Sequence, residues 1–398
     1  MARAHEIDSG AQLTLTGFLE RAARRAEVRD PMRPAARLFL CVLALMGIGF
    51  LLQLSHASTT RSTAEFRSEI VGQLGFRVAG LAIVLLAYRF GPHRLRPVLP
   101  HLLVVGFIAL VAVFFEPFGA PKNGANRWLM IGGRSFQPSE LVRLLVVLWI
   151  ADRCVRLGPR VYQLRRGVLP MLGLSTAFFG VILIETDLGG SMLLLICALS
   201  TMWVGGARLL PVGASLVAIG GGAITAACAF VPYIRDRIAM FTEDVKNDQV
   251  VMTAEALASG GFSGGGFTHG PYRNAGVPYL ESDYVFALVG EELGLFGMLL
   301  VLGLWCAFLW FALRLVLSLR DRFDALASFG LLLSVGLQAM LHLQVVSGLA
   351  PPKGMTLPFL SDGGTSLLVS SLAVGLALGA ARRSHQEYHS CKPSNVTA

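Results

Sequence analysis

The sequence predicts an all-α polytopic membrane protein of about ten transmembrane helices, with both termini cytoplasmic and a large outer loop between helices 7 and 8. Three observations predict it. Of 398 residues, 54% are hydrophobic and only 15% are charged, and the mean hydropathy is +0.62. That is too apolar for a water-soluble globule of this size. The apolar residues gather into ten runs, most of them near the length of one bilayer crossing. None of the runs alternates as a barrel strand would, and a helix satisfies its backbone polar groups within a single such segment.

In chain order, residues 1–36 form a basic cytoplasmic arm with Arg21, Arg24 and Arg25 clustered. The arm has no short apolar stretch followed by a cleavage site, so no removable signal peptide is expected. The runs then cover 38–54, 71–90, 98–115, 141–151, 168–184, 188–205, 209–231, 284–313, 325–349 and 366–381. The fourth is short and needs Gln137 to Glu140 to complete it. The membrane domain is expected over 37–383, with a cytoplasmic tail over 384–398. Three outer segments are long enough to hold chemistry: 116–136, 232–282 and 350–365. Within the second, residues 259–267 read SGGFSGGGF. This is either a flexible connector or a loop whose glycines allow close backbone approach.

The net charge of +9 is distributed by topology. With the N-terminus inside, the inner segments carry 22 basic residues and the outer loops 10, while Arg77 and Arg143 lie within spans. The bias fits ten spans with both ends inside. It indicates contact with anionic membrane lipids and no nucleic acid. The six cysteines form no CxxC or other metal spacing and read as small apolar packers.

Four acids, Glu281, Asp283, Glu291 and Glu292, crowd the entry to the eighth run. A charge at a span centre costs roughly 2.5–3.5 kcal/mol on insertion scales. Asp283 at the outer mouth reads either as a helix cap or as a general base. Glu291 and Glu292 lie about 12–14 Å deeper if helical; they read either as paired with Arg77 or Arg143 or, for one of them, as protonated and hydrogen-bonded. Upstream, Gln137, Pro138 and Glu140 suit a helix start, and Glu140 shares a face with Arg143. Arg127 precedes Trp128, an interfacial anchor that would hold the guanidinium at phosphate height. Glu185 and Asp187 sit in a tight turn, where they could also bind a divalent cation or pair with an arginine. Lys353 is the sole base in the Pro- and Gly-rich segment 350–365; it snorkels or meets a pyrophosphate.

Four segments together resemble one family: NGANRWLMIGGRSFQPSELVR (123–143), ETDLGGS (185–191), ESDYVFALVGEELGLFG (281–297) and GLAPPKGMTLPFLSDGGTS (348–366). They run in the order found in the SEDS proteins (shape, elongation, division and sporulation), and the PKGMTLP form is more similar to the division (FtsW-like) branch than to the elongation (RodA-like) branch. The resemblance implies a peptidoglycan glycosyltransferase of the bacterial cytoplasmic (inner) membrane, with its active site on the extracytoplasmic face. It would polymerise lipid II into β-1,4-linked glycan during cell division, with inversion at the donor and release of undecaprenyl pyrophosphate. It implies Asp283 as the catalytic base and Arg127, Arg143 and Lys353 as the pyrophosphate-binding groups. Glu140, Asp187, Glu291, Glu292 and Ser361 would support them. The implied partners are a class B penicillin-binding protein transpeptidase and other divisome proteins. No cofactor is implied with certainty; a divalent cation, magnesium or manganese, stays open. The chain departs from the family pattern at Glu281-Ser282-Asp283, where His-Thr-Asp is usual. It departs again at Asp362, where Tyr is usual, and at 242–249, a reduced form of an Asp-Pro-rich piece. A lipid II flippase and a non-catalytic divisome scaffold are the alternative readings.

Overall fold

The computed structural model describes residues 30–122, 125–230, 235, 248–274 and 279–390. The clustered arginines of the basic arm, most of the segment 242–249 and the last eight residues lie outside the described residues. The chain is helical throughout its apolar runs. The helices are α1 Met32–Thr60, α2 Thr63–Phe90, α3 Leu99–Ala112, α4 Pro138–Leu157, α5 Leu169–Ile184 and α6 Leu188–Val204. They continue with α7 Leu209–Phe230, then α8 Asp248–Ser259, α9 Val285–Val316, α10 Arg322–Val346 and α11 Gly364–Ser390. Eight of the described helices are long and apolar enough to cross a membrane, and α4 and the shorter α6 pack among them at the places of the fourth and sixth expected spans. The protein is therefore an all-α multi-pass membrane protein.

Burial sorts the helices. Of the apolar window of α11, 83% is buried, against 22% for the span that includes α3. The outer helices turn Leu86, Val105, Ile108 and Val217 outward, as lipid-facing surfaces do. The inner ones are lined with small residues. Gly375 and Gly379 on α11 lie so close to the backbone of α2 that a Cβ on either would collide with it, and close approach of this kind is the usual use of glycine between membrane helices.

One element departs from the all-helical expectation. Residues 116–136 carry a three-stranded antiparallel sheet, β1 Gly119–Lys122, β2 Ala125–Ile131 and β3 Arg134–Phe136. Gly132 and Gly133 both have positive φ, 58° and 77°, between the paired residues Ile131 and Arg134. That is the two-residue hairpin whose central positions favour glycine. Strands are admissible here because the segment lies between spans, where water or neighbouring loops satisfy its edges.

A second departure sits in α9. Gly294 takes φ 64°, ψ −159° and breaks the helix into two pieces. The glycine-rich stretch fills the break with backbone. The Gly265 and Gly266 amides donate to the carbonyls of Glu291 and Glu292 at 2.9 and 3.0 Å, and the Leu295 and Phe296 amides donate to the carbonyls of Gly261 and Phe262 at 2.9 and 3.2 Å. The helical hydrogen bonds lost at the kink are thus remade with the loop, so this stretch is a packed structural insert and not a free connector.

Candidate active site

A cavity of about 650 Å³ opens where β2, the 185–187 turn, the segment before α9, and the loop 350–365 converge. Its wall contains Asp283, Lys353, Arg127, Arg143, Glu140 and Asp187. The residues expected to bind phosphate and the expected base therefore share one chamber, although they are up to 226 positions apart in the chain.

Asp283 does not occupy the cap position of helix α9. Helix α9 begins at Val285, with Tyr284 at the cap position and no side-chain cap hydrogen bond. The residues before it form a turn closed by the Asp283 amide on the Tyr279 carbonyl at 2.9 Å. The carboxylate instead lies against Gly354: a Cβ at that position would stand 2.6 Å from Asp283 Oδ2. The Pro-Lys-Gly sequence thus needs its glycine where backbone meets carboxylate, and Lys353 is brought in with it.

The loop after Phe359 holds this turn from behind. Ser361 Oγ donates to the Ser282 carbonyl at 2.6 Å and accepts from the Leu357 amide at 2.8 Å. The Asp362 amide and Gln53 Nε2 both donate to the Glu281 carbonyl, at 3.0 and 2.8 Å. Ser361 thus braces the turn before α9 from outside the cavity lining. Asp362 lines the cavity, and burial pushes its carboxyl up, with Glu281 adding to the rise and a hydrogen bond from Gln73 opposing it.

Asp187 organises the cationic wall. Its carboxylate accepts from Lys353 Nζ at 3.0 Å, from the Gly190 amide at 2.9 Å and from Gln137 Nε2 at 3.1 Å, and it lies 3.9 Å from Arg127 Nη1. Burial acts to raise this carboxyl, but Lys353 and Arg127, with the Gly190 amide, outweigh it and hold the group well below the usual carboxylate range. With its oxygens so engaged, Asp187 offers a cation site no ready ligand. Arg127 is clipped to the same turn, donating from Nη2 to the Thr186 carbonyl at 2.6 Å and from Nε to the Glu185 carbonyl at 3.3 Å. The turn, more than the neighbouring Trp128, fixes its position.

Arg143 lies deeper, 6% exposed, with Nη2 bonded to Gln338 Oε1 at 2.7 Å and Nε without a partner among the described residues. Gln338 passes the link to Ser366 Oγ at 3.0 Å and to Thr356. Glu140 joins through Ser366, and does not close back on the amides of its own first turn. Unmet guanidinium donors beside a polar chamber are suited to an incoming anion.

Glu291 and Glu292 do not line the cavity. Glu291 Oε1 accepts from the Tyr272 amide at 2.7 Å, and Glu292 Oε1 accepts from Ser55 Oγ at 2.6 Å. The arginines expected for them are engaged elsewhere, Arg77 with Gln73 and the Met46 carbonyl, and Arg143 with Gln338. Both acids are instead taken up by hydrogen-bond donors outside the chamber, from the first helix and from the segment after the glycine-rich stretch. Gln338, Thr356 and Gly354 were not singled out from the sequence. Gln338 left a readable signal, a polar amide inside an apolar run, which in a membrane segment marks a buried partner.

Comparison with known proteins matches this arrangement. The family described as "Cell cycle protein" (FtsW, RodA, SpoVE) matches residues 35–386. The chain is 33% identical over 391 residues to a probable peptidoglycan glycosyltransferase FtsW of Thioalkalivibrio sulfidiphilus, covering 94% of this chain and 95% of that protein. It is 31% identical over 291 residues to the stage V sporulation protein E of Bacillus subtilis, covering 71% and 78%. Among solved structures it is similar to a chain of a peptidoglycan synthase complex, with TM-score 0.71, 27% identity, and 88% and 98% coverage. The fold also resembles that of the rod shape determining protein RodA of Thermus thermophilus, with TM-score 0.65, 24% identity, and 88% and 97% coverage. A match across almost the whole membrane region, with the four motifs gathered around one chamber, places the chain in the FtsW/RodA/SpoVE family of cell cycle proteins, the SEDS family.

Proposed function

We propose that the chain is a peptidoglycan glycosyltransferase that polymerises lipid II in the bacterial cytoplasmic membrane, with the cavity open to the extracytoplasmic face. The observation that carries this reading is the single chamber whose wall brings Asp283 together with three cations, Arg127, Arg143 and Lys353. Asp283 removes the proton from the acceptor GlcNAc 4-hydroxyl as that oxygen attacks the donor MurNAc anomeric carbon from the side opposite the leaving group. The bond to undecaprenyl pyrophosphate breaks, and configuration inverts to β-1,4. Charge grows on the departing pyrophosphate, and fixed cations in a partly water-excluded site stabilise growing charge best. Asp187 keeps Lys353 and Arg127 in place for that role, and the Gln338 network holds Arg143. A magnesium or manganese ion, should the reaction draw on one, would take one or two carboxylates of the cavity wall, such as Glu281 or Asp362, together with pyrophosphate oxygens.

The reading extends to the division branch, from the PKGMTLP form and the FtsW relatives, and to a class B penicillin-binding protein as partner. The second point is supported by the similarity to a chain of a peptidoglycan synthase complex. The flippase alternative draws on broken helices flanking a midplane site. The break at Gly294 is filled by loop backbone and does not line the chamber, so it lends that alternative no support. The test is the purified chain, with its transpeptidase partner, given lipid II in detergent and in vesicles. The reading predicts long glycan products on gels; transfer of lipid II across the vesicle bilayer without polymer would overturn it.

A further inference from the structure

We infer that the end of the bundle opposite the cavity is a divalent-cation site, with zinc as the ion its ligand chemistry favours, formed by His93, Asp321 and Asp324. One ligand atom from each of the three lies within 4.8 Å of the others. They come from parts of the chain more than 220 positions apart: His93 stands on the short 3-10 turn Pro92–Val98 that links α2 to α3, and the two acids open helix α10.

The geometry alone is a cluster; the unmet polar atoms make it a site. Asp324 is 1% exposed, and its Oδ1 has no hydrogen-bond partner among the described residues. His93 Nδ1 is likewise closed off from solvent and unpartnered. Leaving a buried polar atom unsatisfied is costly, and native proteins rarely carry two side by side. A bound ion would satisfy both. Asp321 is already held in position, because its Oδ1 caps the helix by accepting from the Asp324 amide at 2.9 Å; Oδ2 remains for the ion.

The charges around the site allow a cation. The groups that face it are Asp321, Asp324 and Glu387 on one side of the balance and Arg96 and Arg383 on the other. Arg96 is drawn off to Asp152 at 2.8 Å and over the Phe323 ring. Arg383 bridges Asp324 Oδ2 at 3.4 Å and Glu387 at 3.0 Å. The start of a helix opposes a cation through its dipole; two carboxylates at short range outweigh that. An imidazole with two carboxylates favours zinc over magnesium or calcium, which prefer oxygen ligands throughout. Ligands about 2.0–2.2 Å from a tetrahedral zinc stand roughly 3.3–3.6 Å from one another, so the triad needs to close by little more than a rotamer adjustment. His93 and Asp321 are half-buried, which leaves room for water as the fourth ligand.

The site is remote from the chemistry. Gln338, the cavity residue on the same helix, lies fourteen positions beyond Asp324, about 21 Å along the axis at 1.5 Å per residue. The ion would staple the turn between the second and third helices to the head of α10, independently of what the cavity does.

The test is metal content and thermal midpoint of the full chain in detergent, stripped with a chelator and dialysed against zinc chloride. About one zinc per chain and an upward shift of the midpoint are expected for the wild type. Both should be lost in His93→Ala and in Asp324→Asn, and both kept in His385→Ala. That last variant controls for the edge-to-face His385–His389 pair on α11, with ring centroids 4.4 Å apart. Should a variant fail to fold, cobalt(II) loaded into the wild type gives a second readout, with one equivalent showing visible ligand-field bands that zinc abolishes. Uptake well below one equivalent by the wild type, zinc content unchanged in folded His93→Ala, or loss of zinc only in His385→Ala would each overturn the site.

Discussion

At the scale of single residues, the chamber is built from paired charges whose partners are specified one by one. Asp187 is the clearest case: buried, bonded to Lys353, Gly190 and Gln137, and kept ionised by two cations. Glu185, two positions earlier, is the opposite case. It is 1% exposed, neither carboxylate oxygen has a hydrogen-bond partner among the described residues, and burial, with Asp187 beside it, pushes its carboxyl up to about 8. Its folded value therefore lies above its ordinary 4.5. The stabilising, protonated form is fully present below about pH 4.5 and is lost as pH rises through about 8. Replacing Glu185 with Gln removes that dependence. The thermal midpoint of the wild type should fall relative to Glu185→Gln between pH 5 and pH 9, and a constant difference across that range would contradict the assignment. The acids at 281–292 were legible in the sequence because charge is rare in this chain. Their fates were not, because Asp283 meets Gly354 and Glu292 meets Ser55 only after the chain has folded.

At the scale of elements, the informative unit is the broken helix α9 with its glycine insert. Residues 285–293 follow directly from Asp283, and their terminal carbonyls are capped by Gly265 and Gly266. The position of the carboxylate therefore depends on a loop that composition alone allowed to be a mere tether. The backbone at Gly294 lies in a region open essentially to glycine, and a Cβ there would run into the Gly264 amide and Phe262. Gly294→Ala should cost about 1–3 kcal/mol from backbone strain alone and lower polymerisation more than it lowers the amount of folded protein. Gly303→Ala on the same helix has open space around its Cβ and should be neutral in both measurements. Equal behaviour of the two variants would remove the insert from the account. Spans were readable from hydropathy because each is a local property of about twenty residues. The sheet 119–136 and the break at Gly294 were not, since both depend on partners supplied by other segments.

At the scale of the whole molecule, buried α10 and α11 form a core that carries the cavity floor, and the more exposed helices screen it from lipid. The excess of arginine lies at the end of the bundle away from the chamber, and the loops that form the chamber hold few cations beyond those placed in its wall. By the positive-inside rule that distribution supports the proposed outward-facing chamber. A cysteine at Phe262, 74% exposed on the glycine insert, should react with a membrane-impermeant maleimide in intact cells whose outer barrier is permeable. A cysteine at Arg165, exposed between α4 and α5, should react only after the inner membrane is opened. The reverse pattern would invert the topology and separate the chamber from an outward-facing lipid substrate.

The central claim is that one carboxylate in this chamber accepts the proton from the attacking sugar hydroxyl. The most direct measurement is the rate of lipid II polymerisation by the purified chain and its transpeptidase partner, wild type against Asp283→Asn, at matched folding and matched partner binding. Loss of a general base lowers such rates by about 10²–10⁴, and a fall of at least a hundredfold is predicted. Polymer formed at the wild-type rate by Asp283→Asn would contradict the account.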